Sequence, residues 1–141
     1  MTKKYANLAL VYAVVAMVFG VFFREFTKFQ GFEGKTSLSV MHTHYFMLGM
    51  FFFLILMLIE KSFAFSDKRT KITIIIYQVG LNITGAAFLA RGIFQVAVQN
   101  LERGFDASVS GIAGIGHIIM GGCIIHFLIK IRKSVASKVN Q

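Results

Sequence analysis

Three histidines and an arginine are the side chains of this sequence whose types and spacing could support chemistry. His42 and His44 stand two residues apart near the start of one apolar stretch, while His117 and Arg91 lie in two others. Neutral imidazole is a common ligand of transition metals, and two imidazoles can supply both axial ligands of a heme iron. Arginine pairs well with carboxylates such as the heme propionates. The four residues therefore suit a heme site, and the histidines alone would suit a metal-ion site.

The two-residue spacing of His42 and His44 restricts how they can be used. Residues two apart on an α-helix are separated by about 200° around the axis, so the two rings point to nearly opposite sides. One regular helix cannot direct both rings at one metal. Either one histidine is structural, or the helix serves a site on each flank. In a closed cyclic oligomer it would give His42 to one neighbour and His44 to the other.

Four apolar runs must position these residues, and each is about 20 residues long, enough to cross the roughly 30 Å hydrocarbon core of a bilayer. The composition agrees, since 56% of the 141 residues are hydrophobic and only 15% are charged. A soluble globular protein of this size would need more polar residues to cover its surface. The sequence therefore predicts an all-α integral membrane protein, surrounded by membrane lipid. It forms a single four-helix domain, 1–141, with transmembrane helices at about 5–23, 40–59, 72–96 and 111–131.

The net charge of +9 indicates membrane topology rather than nucleic-acid binding, because the basic residues cluster between the apolar runs. Lysine and arginine accumulate on the cytoplasmic side of membrane proteins. Ten of them flank one side of the predicted bundle and four flank the other. This bias predicts a multi-pass protein of the cell membrane with both termini in the cytoplasm. The ten are Lys3, Lys4, Lys61, Lys68, Arg69, Lys71, Lys130, Arg132, Lys133 and Lys138, and the four are Arg24, Lys28, Lys35 and Arg103.

With this topology, His42, His44, His117 and Arg91 all fall in the outer third of the membrane. Ionisable side chains are costly in lipid and usually mark function, so a layer that contains four of them indicates a ligand site. A lone histidine is more often bonded to water, headgroups or backbone. We assign such a snorkelling role to His126, which lies nearer the cytoplasm.

The glycines of the fourth run leave two interpretations open. They remove side chains where either a flat macrocycle or a neighbouring helix could approach. The residues are Gly111, Gly114, Gly116, Gly121 and Gly122.

A polar stripe on the third run also has two interpretations. Gln78 and Asn82 are four residues apart, so they share a helix face in the inner half of the membrane. They could line a proton path or bond to an adjacent helix, and the second role is the more usual one.

The segment His42-Thr43-His44-Tyr45-Phe46-Met47-Leu48-Gly49 resembles the His-x-His-Tyr segment in the tenth helix of the heme-copper oxidase catalytic subunit, where the two histidines serve different hemes. Gly20-Val21-Phe22-Phe23-Arg24-Glu25 is similar to a Gly-x-x-x-Arg-x-Glu-like pattern in the first helix of that subunit, except that Arg24 and Glu25 are adjacent here. That subunit has twelve helices in three pseudo-symmetric groups of four. The resemblance implies that this chain is one such group and assembles as a twelve-helix homotrimer with heme between neighbouring subunits.

The parts of the oxidase pattern that reduce oxygen are missing, since the sequence offers no cluster of three histidines for copper and no cross-linked His-Tyr arrangement. An iron with two histidine ligands has no open position for a gas, so electron transfer is the expected chemistry. The chain also looks like a small bacterial four-helix membrane family of unknown function.

The leading expectation is a cytochrome b-like membrane protein that holds heme b at subunit interfaces. His42 of one subunit and His44 of its neighbour would ligate the iron, His117 could replace either of them, and Arg24 and Arg91 would lie near the propionates. A quinol or another electron-transfer partner would exchange electrons with the heme. Any enzymatic activity would be that of a heme-dependent membrane oxidoreductase.

Two other classes of function remain open from the sequence. A copper or other metal-ion binder or transporter could combine the histidine pair with Met41, Met47 and Met50, although methionine on an apolar helix is more often a packing residue. A structural or accessory membrane subunit would use its histidines for no chemistry at all.

Overall fold

Four long helices make up the chain in the computed structural model, which describes residues 1–98 and 103–139. All four are long and apolar enough to cross a membrane, so the prediction of an all-α protein with four such helices is confirmed. Each helix extends beyond the apolar run from which it was predicted, because the flanking polar residues continue the helical backbone. The helices are α1 (Thr2–Phe29), α2 (Leu38–Phe63), α3 (Lys68–Ala97) and α4 (Arg103–Val139).

Local signals set the ends of these helices. Asp67 begins α3 with a capping box, because its carboxylate accepts the Thr70 backbone N–H at 2.9 Å and its own N–H donates to Thr70 Oγ1 at 3.1 Å. Gly31 follows α1 with a φ of +58°, which glycine adopts without strain. Ala64 follows α2 with a φ of +46°, a conformation that usually requires glycine. The helix bounds leave only short connections from α1 to α2 and from α2 to α3.

The helices alternate in direction, so the bundle has two distinct ends. We call the end that contains residues 30–37 the histidine end, because His42 and His44 follow that loop. The other end, which we call the terminus end, contains residues 64–67 and the first and last described turns. There Ser134 of α4 donates to the Phe63 carbonyl oxygen, and Lys138 Nζ donates to the Ser62 carbonyl oxygen at 2.7 Å.

α1 packs along α2, α2 also contacts α3, and α3 makes its most extensive contact with α4. Glycine allows the close approach of α3 and α4. A Cβ atom on Gly116 would lie 2.7 Å from the Gly80 carbonyl oxygen, and one on Gly80 would lie 2.9 Å from the Gly116 carbonyl oxygen. The two backbones therefore touch directly, as small residues permit in membrane helices.

A column of six aromatic rings joins α1 to α2. Consecutive rings have centroids 5.4 to 6.4 Å apart and planes within 25° of parallel. Offset stacking of this kind adds about 0.5–1.5 kcal/mol per pair to the burial of the rings. The order from the histidine end to the terminus end is Phe19, Tyr45, Tyr12, Phe53, Tyr5 and Phe65.

Asn82 connects this column to α3 through hydrogen bonds. Its Nδ2 donates to Tyr12 Oη at 3.2 Å, and its Oδ1 accepts from Tyr45 Oη at 3.3 Å. Gln78 donates within its own helix, to the Ile74 carbonyl oxygen at 3.3 Å. Asn82 thus has the interhelical bonding role, which was one of the two interpretations of the polar stripe.

One turn of α2 is wider than an α-helix. The segment Tyr45–Phe51 is a π-helix between regular α-helical segments at Leu38–His44 and Phe52–Phe63. Gly49 lies in it, and a Cβ atom there would be 2.6 Å from Tyr12 Cβ. Single π-helical turns often occur next to functional sites, and this one begins at the residue after His44.

Large apolar side chains cover much of the outside of the bundle. Ile118 of α4 is 76% exposed and Leu10 of α1 is 66% exposed. Such a surface needs an apolar solvent, which the lipid bilayer provides. The polar residues described below are therefore found in a mostly apolar setting.

Candidate histidine site

His42 and His44 lie in the last α-helical turn of α2 before the π-helical segment, and they face different flanks of the helix. His42 lies against α1, where a Cβ atom on Gly20 would be 3.6 Å from His42 Cβ. His44 lies against α3 and α4, where its ring contacts Phe88 and His117. This arrangement agrees with the separation of about 200° expected from the spacing.

His44 and His117 form a pair within one chain. Their ring centroids are 5.4 Å apart, and the ring planes are inclined by 71°. Phe88 completes the cluster, with its centroid 5.3 Å from that of His44 and 6.1 Å from that of His117. The fold therefore brings together α2, α3 and α4 at these three rings.

The two rings of this pair differ in which nitrogen is bonded. His117 Nδ1 lies 2.8 Å from the Ala113 carbonyl oxygen, so Nδ1 carries the proton and donates to that oxygen. Metal-ligating histidines commonly make such a bond with one nitrogen, which leaves the other free to coordinate. His44 Nε2 is buried and has no hydrogen-bond partner among the described residues. Each histidine thus has a nitrogen available at this site.

Arg91 lies on α3 three residues after Phe88, about 4.5 Å further along the helix toward the histidine end. Its Nη2 donates to Asp106 Oδ2 at 2.9 Å, and its Nε is 2.7 Å from Asp106 Oδ1. Both side chains are about one-third exposed, at 32% and 37%. Asp106 therefore holds the guanidinium in place, one turn from the histidine pair.

The other flank of α2 has a similar layout around His42. The His42 Nδ1 atom is buried and has no partner among residues 1–98 and 103–139. Arg24 lies four residues after Gly20 on α1, so it occupies the same helix face one turn closer to the histidine end. Its side chain is 82% exposed and its Nε is 3.8 Å from Glu25 Oε1. A buried imidazole nitrogen and an arginine one turn away thus occur on both flanks.

The glycines of α4 divide into two kinds. Gly116 packs against α3, as described above. Gly114 and Gly121 flank His117 at positions i−3 and i+4, and a Cβ atom on either would meet no described atom within 4 Å. Helix packing, one of the two earlier interpretations, therefore holds at Gly116, and the interpretation that a macrocycle approaches these glycines stays a prediction.

Two sets of side chains stay apart from the histidine pair. His126 lies nine residues after His117, toward the terminus end, with its centroid 6.5 Å from that of Phe127. Met41 is buried, whereas Met47 is 59% exposed, so the methionines of α2 point in different directions. Among the described residues, no three His, Cys, Asp or Glu side chains come together in a group that could hold a metal ion.

Sequence reasoning missed three contributors to this site. Phe88 resembles any other apolar residue, and Gly20 and Asp106 were not connected to the histidines. The signal for Asp106 was present, since it is an acid close in sequence to the apolar run that carries His117. Only the packing of α3 against α4 pairs it with Arg91.

The comparisons with known proteins give a family but no activity. The chain matches the family described as Protein of unknown function (DUF2871) over residues 2–134. No curated protein and no solved structure matches it. The likeness to the heme-copper oxidase subunit therefore stays a prediction from sequence. Because the family match covers nearly the whole chain, this protein belongs to the DUF2871 family, whose function is unknown.

Proposed function

We propose that this protein is a cytochrome b-like membrane protein that binds heme and transfers electrons. The observation that carries the proposal is the His44–His117 pair, with ring centroids 5.4 Å apart inside one chain. We assign these two histidines as the ligands of one heme iron. This pairing uses His117 in place of a histidine from a neighbouring subunit.

The residues present fit such a group. His44 and His117 would hold the heme as a pair of imidazole ligands, because the fold already brings their ring centroids to 5.4 Å from each other. The unpartnered Nε2 of His44 and the Ala113-bonded ring of His117 supply the two donors. A Cβ atom on Gly114 or Gly121 would meet no described atom within 4 Å, so neither position obstructs a ligand beside His117.

A heme bound there would supply reversible one-electron chemistry, and with both axial positions taken by histidine it would have no site for a gas. The chain's own residues tune that chemistry. Phe88 presents an apolar ring to both imidazoles. Arg91, held by Asp106, presents a cation one turn toward the histidine end, where heme propionates could reach it. A quinol or another membrane-soluble donor is the expected electron-transfer partner.

His42 supports a second, interchain site. Its buried Nδ1 lacks a partner in the described chain, and Arg24 stands on the facing helix one turn away. A neighbouring copy in a closed oligomer would supply the other ligand, and a homotrimer would give twelve helices. The positive-inside bias supports an orientation in the cell membrane with both termini on the cytoplasmic side and the histidine end outside. The His42–Gly49 likeness to the oxidase subunit points to the same assembly.

Optical spectra of the purified protein, with and without dithionite, test the proposal. We expect a Soret band and, after reduction, the sharp α band of a six-coordinate low-spin heme. His44→Ala and His117→Ala should each remove the six-coordinate signature of the heme at the His44–His117 site and so lower the intensity of the α band, whereas His126→Ala should leave the spectrum unchanged. A protein that shows no Soret band even after reconstitution with heme would refute the proposal, as would stoichiometric copper without heme.

Glycine variants test the position of the heme independently of its ligands. Gly114→Leu and Gly121→Leu add side chains where the chain leaves open space, so they should fold normally but reduce heme binding by at least about ten-fold. Gly111→Leu is the matched control, because its position is equally open and lies about 120° further around the helix from His117. Equal heme content in all three variants would contradict the assigned position.

A further inference from the structure

A polar cavity lies at the histidine end, between the loop after α1 and the adjoining ends of α3 and α4. It consists of two neighbouring spaces of about 510 and 390 Å³ that share Lys35, Arg91 and Gln95 as lining residues. Arg103 and Asp106 complete the larger space. Lys35, Gln95 and Arg103 take no part in the proposed function, whereas Arg91 and its partner Asp106 do.

The loop that forms one wall of this cavity is fixed to α3. Thr36 Oγ1 donates to the Gly92 carbonyl oxygen at 3.1 Å, and the Ser37 backbone N–H donates to Gln95 Oε1 at 2.7 Å. Gly92 makes the approach possible, since a Cβ atom there would lie 2.7 Å from the Leu38 backbone nitrogen. The wall is therefore held by buried contacts and does not depend on a ligand.

The cavity is lined mainly by hydrogen-bond donors and positive charge. Lys35, Arg91 and Arg103 face a single described carboxylate, that of Asp106. Asp106 is already engaged by Arg91. Because the Gln95 carbonyl accepts from Ser37, the amide nitrogen of Gln95 is left as a donor. The described lining thus has a net charge of about +2 at neutral pH, taking lysine and arginine as charged.

We propose that this cavity binds a phosphate group, from either a lipid headgroup or free phosphate. Lysine, arginine and amide donors that line one space match the several acceptor oxygens of phosphate. The cavity lies at the ends of helices long enough to span a bilayer, which is the depth of lipid headgroups. Lys35 and Arg103 carry the recognition, and the Arg91–Asp106 ion pair forms the floor.

Thermal unfolding of the purified protein in detergent tests this assignment. One series adds inorganic phosphate at constant ionic strength with chloride as the control anion. A second series adds phosphatidylglycerol, with a neutral glycolipid that lacks phosphate as the control lipid. A ligand that binds the folded state raises the unfolding midpoint in proportion to its occupancy. The variants are Lys35→Gln and Arg103→Gln, with Lys28→Gln as the control because Lys28 is exposed at the same end but lines neither space.

Stabilisation by phosphate identifies the free anion as the ligand, and stabilisation by phosphatidylglycerol alone identifies the headgroup. In either case Lys35→Gln and Arg103→Gln should weaken the apparent affinity by about ten-fold each, as expected for loss of one charge-assisted contact. Lys28→Gln should have no effect, and Lys35→Arg should retain most of the affinity. The proposal is overturned if neither ligand stabilises the protein, or if Lys28→Gln weakens binding as much as Lys35→Gln does.

Discussion

Replacing Gly116 with alanine tests the close contact between α3 and α4. The new Cβ atom would lie 2.7 Å from the Gly80 carbonyl oxygen and would also collide with the Thr84 hydroxyl. Ordinary contact between carbon and oxygen begins at about 3.4 Å, so the two helices must separate by roughly 0.7 Å or bend. A backbone oxygen cannot move aside as a flexible side chain would. The substitution therefore disturbs the whole contact between the helices.

Two opposing effects determine how much Gly116→Ala changes the free energy of unfolding. Overpacking a tight contact costs about 1–3 kcal/mol. Alanine also stabilises a helix relative to glycine by up to about 1 kcal/mol. Gly111→Ala should show the gain in helix stability without the overpacking cost, because its Cβ atom would meet no described atom within 4 Å. The difference in unfolding free energy between the two variants should therefore be about 1–3 kcal/mol, with Gly116→Ala the less stable.

Equilibrium unfolding in mixed micelles, where denaturing detergent is titrated against a mild one, measures this difference. The double variant Gly80→Ala/Gly116→Ala adds a check, since the two glycines face each other. Once one substitution has separated the helices, the second should cost less than it does alone, so the two effects should not add. If Gly116→Ala is as stable as Gly111→Ala, the conclusion that the two backbones touch directly is wrong.

Three further predictions concern single side chains elsewhere. Tyr45→Phe removes the hydroxyl that donates to Asn82 Oδ1, so thermal unfolding should show a loss of about 0.6 kcal/mol, and an unchanged midpoint would contradict that bond. Hydrogen bonds from Lys130 and from the α3 N-terminus lower the pKa of Asp67. Because the pKa is depressed in the folded state, ionised Asp67 stabilises the fold above about pH 4, and this stabilisation is lost as the pH falls further. The thermal unfolding midpoint of Asp67→Asn should therefore lack this acid dependence. Ala64→Gly should relieve the strain of the left-handed backbone at this residue. It should raise the unfolding free energy by about 0.5–1 kcal/mol and the thermal midpoint with it, whereas a lower midpoint would show that no strain exists there.

The sequence was enough to predict the number and kind of helices, because runs of apolar residues have to satisfy their backbone within lipid as helices. It also predicted that His42 and His44 point apart, because helical periodicity alone separates residues two positions apart. The exact lengths of the helices depended on flanking residues such as Lys68 and Arg103, which hydropathy does not assign to a helix. The π-helical turn at Tyr45–Phe51 has no such simple pattern.

The tertiary structure decided which residues meet. Periodicity gives the face on which a side chain lies but not the helix that packs against that face, so the sequence could not choose between His42 and His117 as the partner of His44. Glycine made that choice, since close backbone contact at Gly80 and Gly116 joins α3 to α4. The contacts of α3 with both α2 and α4 then bring His117 to His44 and Asp106 to Arg91. The residue types were visible in the sequence, and only the packing of the helices brought them together.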